Sequence, residues 1–283
     1  MTSTMPLIPR IPIGDGIEAV IDFLVEHFSF LTKAFSNVTE IGLEFLESGM
    51  MFLPPWLFIL LFASLVWLLS KSRGVSLFSV IGLALIWNMG LWEPTMSTIA
   101  LVLVATLIAI ILGVPIGIFA AMSNIIYRVV MPILDFMQTM PAFVYLIPAI
   151  PFFGLGKVAA IFSTVIFSMP PAIRLTCLGI KQVPFELVEC ADAFGSNKWQ
   201  KLFKLQLPLA TTTIMAGVNQ TVMLALSMVV IASMIGAKGL GGEVWKAIQR
   251  LQPGNGFEAG IGIVIVAIVL DRVLQKVAAR SKN

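Results

Sequence analysis

Long apolar stretches without charged side chains recur along the chain, and charged residues bracket them. Glu47 and Lys71 enclose one such stretch, and Glu93 and Arg128 enclose another. A helix needs about 20 mainly apolar residues to cross the hydrocarbon core of a bilayer. The pattern therefore predicts an all-α, polytopic membrane protein with about seven spans, at residues 55–70, 73–93, 97–122, 131–154, 158–180, 209–236 and 257–270.

The segment before the first span has a different pattern. Apolar residues from Ile17 to Leu31 recur at helical spacing, and acidic residues lie mainly between them. This arrangement predicts an amphipathic helix that lies at the membrane surface or against the bundle. No basic region leads into an apolar run, so we expect no signal peptide.

Composition narrows the class of protein. Of the 283 residues 58% are hydrophobic and 12% are charged, and the mean hydropathy is +0.98. Soluble domains carry roughly 25% charged residues. This composition excludes a soluble enzyme, a nucleic-acid-binding protein and a disordered chain. Two cysteines and one histidine offer little for a disulfide scaffold, a metal site or histidine catalysis, so we expect no catalytic and no metal-ligating residues.

The basic residues predict the orientation, because cytoplasmic loops are enriched in lysine and arginine. With the N-terminus outside, the inside segments hold 12 basic residues and the outside segments hold 6. The inside set is Lys71, Arg73, Arg128, Arg174, Lys181, Lys198, Lys201, Lys204, Arg272, Lys276, Arg280 and Lys282. We therefore expect the N-terminus outside and the C-terminus in the cytoplasm.

Prolines and glycines interrupt several predicted spans. Pro141, Pro148 and Pro151 fall in the fourth span, and Pro170 and Pro171 fall in the fifth. Bent or broken helices persist in membranes where neighbouring helices or a water-lined cavity satisfy the freed backbone groups. This density favours a transporter or channel over a bundle of anchors.

Two polar positions within the spans have structural and functional interpretations. Asp135 lies near the basic end of its span, and pairing with Arg128 or Arg174 is the expected role. Asn219 in the sixth span is expected to hydrogen-bond between helices, with a place in the transport pathway as the alternative.

The loop between spans five and six, residues 182–208, carries the most specific pattern. Residues 184–194 predict a short helix with Glu189 and Ala193 on one face, and Gly195 predicts a turn after it. Residues 196–203 predict a second short helix that stops before Pro208. Such a unit is suited to contact another protein, although an ordinary basic loop remains open from the residues alone.

This loop resembles the signature loop of the membrane subunits of bacterial ABC importers. In that family the pattern is Glu-Ala-Ala, three residues, Gly, nine residues, Ile-x-Leu-Pro, and the chain matches at Glu189, Ala191, Gly195, Leu207 and Pro208. It departs at Cys190 and Leu205. Residues 135–148, 179–184 and 224–232 also resemble the permeases of glycine betaine/proline importers, and the likeness runs from about residue 8 to 272.

The resemblance implies an architecture and a set of partners. Residues 94–274 would form the transmembrane domain with the type I importer five-helix core. Residues 1–52 would be an extracytoplasmic tail, 53–93 two peripheral helices, and 275–283 a cytoplasmic tail. Two permeases in the bacterial plasma membrane would associate with two ATP-binding subunits, which carry ATP and magnesium, and with an extracytoplasmic solute-binding protein. The loop would couple ATP hydrolysis on the partner to transport, and the permease itself would bind no cofactor.

The same resemblance suggests the solute. Glycine betaine and proline betaine carry quaternary ammonium groups, which aromatic faces attract. Phe143, Tyr145, Phe152 and Phe153 are candidate pathway residues together with Asn219, and ordinary packing of the aromatic side chains is the alternative. Two other functions remain open: the same machine for choline, carnitine or another small solute, and a secondary transporter or channel that works without ATP.

Overall fold

The structure, a computed structural model, describes residues 12–280, which form helices and no strands. Arg10 and Lys282 of the charge count lie outside the described residues. In chain order the helices are α1 Ile13–His27, α2 Ser29–Phe52, α3 Pro55–Ser70, α4 Arg73–Asn88, α5 Trp92–Met122, α6 Asn124–Thr139, α7 Leu146–Phe153, α8 Lys157–Lys181, α9 Phe185–Ala193, α10 Lys198–Lys201, α11 Leu207–Ser233, α12 Leu240–Gln249 and α13 Pro253–Arg280. A 3₁₀ turn occupies Ala142–Tyr145, and a π-helical turn occupies Leu202–Gln206.

Among residues 12–280, three segments are single helices long and apolar enough to cross a membrane: Trp92–Met122, Lys157–Lys181 and Lys198–Ser233. Two bent pairs of helices raise the number to as many as five, and α4 is a shorter apolar helix. All seven predicted segments fall mainly within helices, so the all-α, multi-span fold is confirmed, while the count of seven stays a prediction. The predicted tail at 275–283 begins inside α13, which continues without a break to Arg280.

The fourth predicted span, 131–154, is a bent pair and not one straight helix. Helix α6 ends at Thr139, and Met140 is extended with ψ of 136°. A residue before proline is driven out of the helical region by the proline ring, and Pro141 follows here. The chain turns by 113° before it resumes as the 3₁₀ turn and α7. Pro170 and Pro171, in contrast, lie inside an uninterrupted α8.

Helix α8 is central, because it packs along both α5 and α11. Glycines allow this close approach. A Cβ atom on Gly117 of α5 would lie 2.6 Å from the Ile173 carbonyl oxygen of α8, and one on Gly217 of α11 would lie 3.0 Å from the Pro171 carbonyl oxygen. Small residues at helix contacts are what lipid-embedded bundles use to bring backbones together.

The N-terminal segment forms two helices, and the second packs on the bundle. The prediction of one continuous amphipathic helix through Leu31 is wrong, because α1 ends at His27 and α2 begins at Ser29. Leu43 of α2 is buried in a core with residues of α5, α7, α8 and α11. The chain then bends by 108° into α3, which joins a second core with α4, α5, α11, α12 and α13.

Candidate coupling surface and membrane pathway

Helix α9 and helix α10 follow one another at one end of the bundle, here called the loop end. The pair is joined by a tight turn at Gly195, whose φ is +74°. The Ser196 amide donates to the Ala191 carbonyl at 3.0 Å, and the Gly195 amide donates to the Asp192 carbonyl at 2.9 Å. These two bonds define a Schellman motif, in which glycine adopts the left-handed conformation after the helix. The motif explains the spacing between Ala191 and Gly195.

Helix α10 begins with a reciprocal cap that the sequence analysis did not identify. The Asn197 side chain accepts from the Gln200 amide at 2.8 Å, and the Gln200 side chain accepts from the Asn197 amide at 2.9 Å. An N-cap residue followed three positions later by Glu or Gln signals this capping box. Lys201 then forms an ion pair with Asp192 at 2.6 Å, which ties α10 back to α9.

The second predicted helix of the loop does not stop before Pro208, so that expectation is wrong. Helix α10 runs through the π-helical turn into α11, and Pro208 lies in the first turn of α11. Proline lacks an amide hydrogen, and its ring clashes with the carbonyl four residues earlier. The π turn shifts the register, and the Leu207 amide bonds to the Leu202 carbonyl, so the helix continues past the proline.

The α9–α10 pair is anchored at one point and exposed elsewhere. Leu202 is buried with Ile180 and Ala210, and Leu207 packs against this cluster. Large apolar side chains nevertheless face outward: Phe185 is 69% exposed, Phe194 86% and Trp199 54%. Glu189 is exposed as well. An exposed apolar patch rimmed by polar residues is typical of a protein contact.

The structure brings only some of the candidate pathway residues together. Phe152 and Phe153 form a four-ring cluster with Phe35 and Phe162, in which the Phe153 and Phe162 centroids lie 4.8 Å apart. Tyr145 forms no ring pair with these four, but it is buried in the core against which Phe153 packs. Its ring lies 5.7 Å from that of Phe167, and its hydroxyl donates to the Met137 carbonyl.

The other two candidates lie outside that aromatic cluster. Phe143 is exposed, and Asn219 donates to Asp271 of α13 at 2.8 Å. The interhelical hydrogen bond expected for Asn219 is therefore confirmed. The side-chain oxygen of Asn219, Oδ1, is buried without a hydrogen-bond partner among residues 12–280. Asp135 pairs with Arg174 at 2.5 Å, one of its two predicted partners.

The opposite end of the bundle, here called the far end, is tied together by polar contacts. Glu47 of α2 forms an ion pair with Lys157 at 2.6 Å and accepts from the Ser97 hydroxyl. The turn before α12 is fixed to α5, because the Leu240 amide donates to the Thr98 hydroxyl oxygen at 2.8 Å. These contacts join α2, α5, α8 and the glycine-rich turn at 236–242.

The sequence of the chain matches a known protein-family model. Residues 113–280 match the model for the binding-protein-dependent transport system inner membrane component. The chain belongs to this family. The match covers α8, the α9–α10 pair and α11, so the resemblance seen in the signature loop is confirmed. The protein is therefore the membrane permease subunit of a binding-protein-dependent importer, and a permease is not itself catalytic.

Individual permeases are similar over nearly the whole chain. The glycine betaine transport system permease protein OpuAB of Bacillus subtilis is 51% identical over 279 residues, covering 99% of each chain. The glycine betaine/carnitine transport permease protein GbuB of Listeria monocytogenes is 51% identical over 282 residues, covering 99% of this chain and all of that one.

A solved structure supports the fold. An inward-facing conformation of the MetNI methionine ABC transporter matches with a TM-score of 0.62 at 19% identity, covering 75% of this chain and 100% of that chain. The fold is that of an ABC importer permease, and an inner membrane component of this family is a multi-pass protein of the cell membrane.

Proposed function

We propose that this permease imports glycine betaine and proline betaine in an ATP-driven complex. The observation that carries the proposal is the 51% identity, over nearly the full chain, to two permeases named for glycine betaine transport. Carnitine is the second candidate solute, because one of those two relatives is also named for it.

The α9–α10 pair is the proposed contact with the ATP-binding subunit. Phe185, Phe194 and Trp199 supply exposed apolar area, and the Schellman turn with the Asp192–Lys201 ion pair joins α9 to α10. Glu189, Ala191, Gly195, Leu207 and Pro208 are the signature positions of this contact. Two permeases, two ATP-binding subunits and a solute-binding protein complete the proposed assembly, with ATP and magnesium held by the ATP-binding subunits.

The loop end is proposed to face the cytoplasm. Lys181, Lys198, Lys201 and Lys204 lie at this end, and positive charge accumulates on the cytoplasmic side of membrane proteins. The far end then faces outward, with the N-terminus outside and the C-terminus inside.

The role of the candidate pathway residues in transport is a proposal. The geometry separates residues that could meet the solute directly from residues that other groups hold in place. Phe152 and Phe153 offer ring faces within one aromatic cluster, which suits a quaternary ammonium. Tyr145 and Asn219 are held by the Met137 carbonyl and Asp271, so they would meet the solute only after those contacts rearrange. Phe143 is already exposed.

Uptake of labelled glycine betaine into proteoliposomes tests the proposal. The vesicles hold this chain, the ATP-binding subunit and the binding protein, with or without internal ATP. We expect uptake only with ATP, competed by proline betaine and not by choline. Carnitine uptake in place of betaine would transfer the function to the second candidate, and uptake without ATP would overturn the importer.

A pair of variants tests the coupling surface in the same vesicles. Phe194→Ser should abolish ATP-driven uptake and release the ATP-binding subunit on purification. Phe30→Ser is the matched control, because Phe30 of α2 is 79% exposed and lies outside the α9–α10 pair. Equal uptake by the two variants would contradict the docking assignment.

A further inference from the structure

Two adjoining cavities open at the far end, and together they form what we call the far-end cleft. One cavity, of about 470 Å³, lies between the start of α5, the glycine-rich turn and α12. The other, of about 620 Å³, lies between α2, α5 and the start of α8. Glu93, Ser97 and Lys238 line both cavities. Each volume is within the range of about 300–1,000 Å³ typical of small-molecule sites.

The charges around the far-end cleft are of both signs, and most are already paired. Glu47 is paired with Lys157 at 2.6 Å, and Glu243 with Lys246 at 2.8 Å. Within residues 12–280, Glu44, Glu93 and Lys238 form no ion pair, and Glu93 and Lys238 are the two of these that line the smaller cavity. An unpaired carboxylate and an unpaired ammonium therefore line the same cavity.

An aromatic ring completes the lining. Trp245 of α12 is half-buried and lines the smaller cavity with Glu93 and Lys238. The tryptophan face is the best aromatic partner for an organic cation, and a nearby carboxylate adds a Coulomb attraction. None of the signature positions and none of the candidate pathway residues lines this cleft.

We propose that the far-end cleft binds a zwitterion that has a quaternary ammonium at one end and a carboxylate at the other. Trp245 and Glu93 attract the ammonium group, and Lys238 attracts the carboxylate. Glu93 and Lys238 are both exposed, so each is hydrated when the cleft is empty. A zwitterion is the ligand that can contact both charges at once. The inference rests on the proposed function for its solute class and for the outward orientation of the far end.

The place of the cleft in the fold gives the site a role. Its walls include the start of α5 and Ser233, the last residue of α11. Both helices pack along α8 and reach the loop end. The site would therefore receive the solute at the mouth of the bundle, before the solute enters the space between the helices.

Saturation-transfer NMR on the full-length chain in lipid nanodiscs, without the binding protein, tests the site directly. Glycine betaine is the probe, with choline and tert-butylacetate as comparators that each lack one of the two charges. We expect transfer to the betaine methyl groups with an apparent affinity at least about fivefold better than for either comparator. Trp245→Ala, Glu93→Gln and Lys238→Gln should each weaken betaine binding by about fivefold.

Matched control variants come from helices α2 and α3. Trp56 of α3, Glu40 and Lys33 of α2 are exposed and do not line the cleft, so Trp56→Ala, Glu40→Gln and Lys33→Gln should bind betaine as the parent does. Glu93 and Lys238 are themselves exposed, so their glutamine variants keep the fold even where Trp245→Ala does not.

The failures of the two proposals are distinguishable. If the complete importer transports glycine betaine and the chain in nanodiscs shows no betaine transfer, only the cleft is overturned. If the cleft variants weaken association with the binding protein while betaine binding is unchanged, the cleft is a protein contact and the solute site is wrong. If the complete importer does not transport betaine, the proposed function itself fails.

Discussion

Gly195 shows how one residue fixes the geometry of the α9–α10 pair. The sequence predicts a turn at this residue, and no atom lies within 4 Å of the position where a Cβ atom would be. The constraint is the backbone, since φ is +74°. The left-handed conformation costs an ordinary residue about 1–2 kcal/mol, and a β-branched residue adopts it least readily of all.

Gly195→Val should therefore lower ATP-driven uptake, while Gly195→Asn should keep most of it. Asparagine tolerates the left-handed conformation after a helix, whereas valine would reorient the turn and separate Asp192 from Lys201. The measurement is uptake per reconstituted complex, with ATP hydrolysis recorded in parallel. Similar uptake by both variants would show that the turn geometry is irrelevant to coupling.

The contacts between helices depend on positions that leave no room for a side chain. Gly117 faces the Ile173 carbonyl and Thr176 of α8, so a methyl group would force α5 and α8 apart. Gly74 of α4 has nothing within 4 Å of a built Cβ atom. The two glycines thus offer the same substitution in a closed and in an open environment.

We expect Gly117→Ala to destabilise the permease by about 1–3 kcal/mol, the usual cost of overpacking. Gly74→Ala should be neutral or stabilising by about 0.5–1 kcal/mol, because alanine is the better helix former. Melting temperatures of the detergent-solubilised variants measure the difference. A lower melting temperature for Gly74→Ala than for Gly117→Ala would refute the packing argument.

The sequence predicts individual helices well and their breaks less well. Stretches with few charges locate α3, α5 and α8 because the bilayer imposes length and apolarity on each span. The pattern cannot show that Pro141 ends a helix while Pro170 and Pro171 do not, since the outcome depends on packing by α5 and α11. The sequence also does not show that the helix continues past Pro208, because the π turn that accommodates this proline is a change of backbone register without a side-chain signal.

At the scale of the molecule, the residues of a site can be predicted from the sequence only where they are contiguous in the chain. The signature loop is contiguous, so its resemblance to the loop of ABC importer membrane subunits can be recognised in the sequence. The candidate pathway residues and the far-end cleft are assembled from distant segments, and no spacing indicates that Glu93, Lys238 and Trp245 line one cavity. The sequence likewise does not predict that Phe185, Phe194 and Trp199 are exposed, because exposure is a property of the fold.

The two cysteines provide a test of the orientation without any engineered label. Cys190 of α9 is exposed and Cys177 of α8 is buried. In cells that express the chain without the ATP-binding subunit, a membrane-impermeant maleimide should label Cys190 in inside-out vesicles and leave it unlabelled in intact cells. Cys190→Ser should remove the signal, and labelling of intact cells through Cys190 would reverse the predicted topology.

The unbroken helical path from Lys198 to Ser233 has a mechanical consequence. These 36 residues correspond to about 54 Å at 1.5 Å per residue, which exceeds the hydrocarbon thickness of about 30 Å. Had Pro208 separated α10 from α11, a flexible joint would have absorbed any displacement of the loop. Because the π turn preserves the path, we expect a displacement of α10 to be transmitted along α11 to Ser233, which lines the far-end cleft.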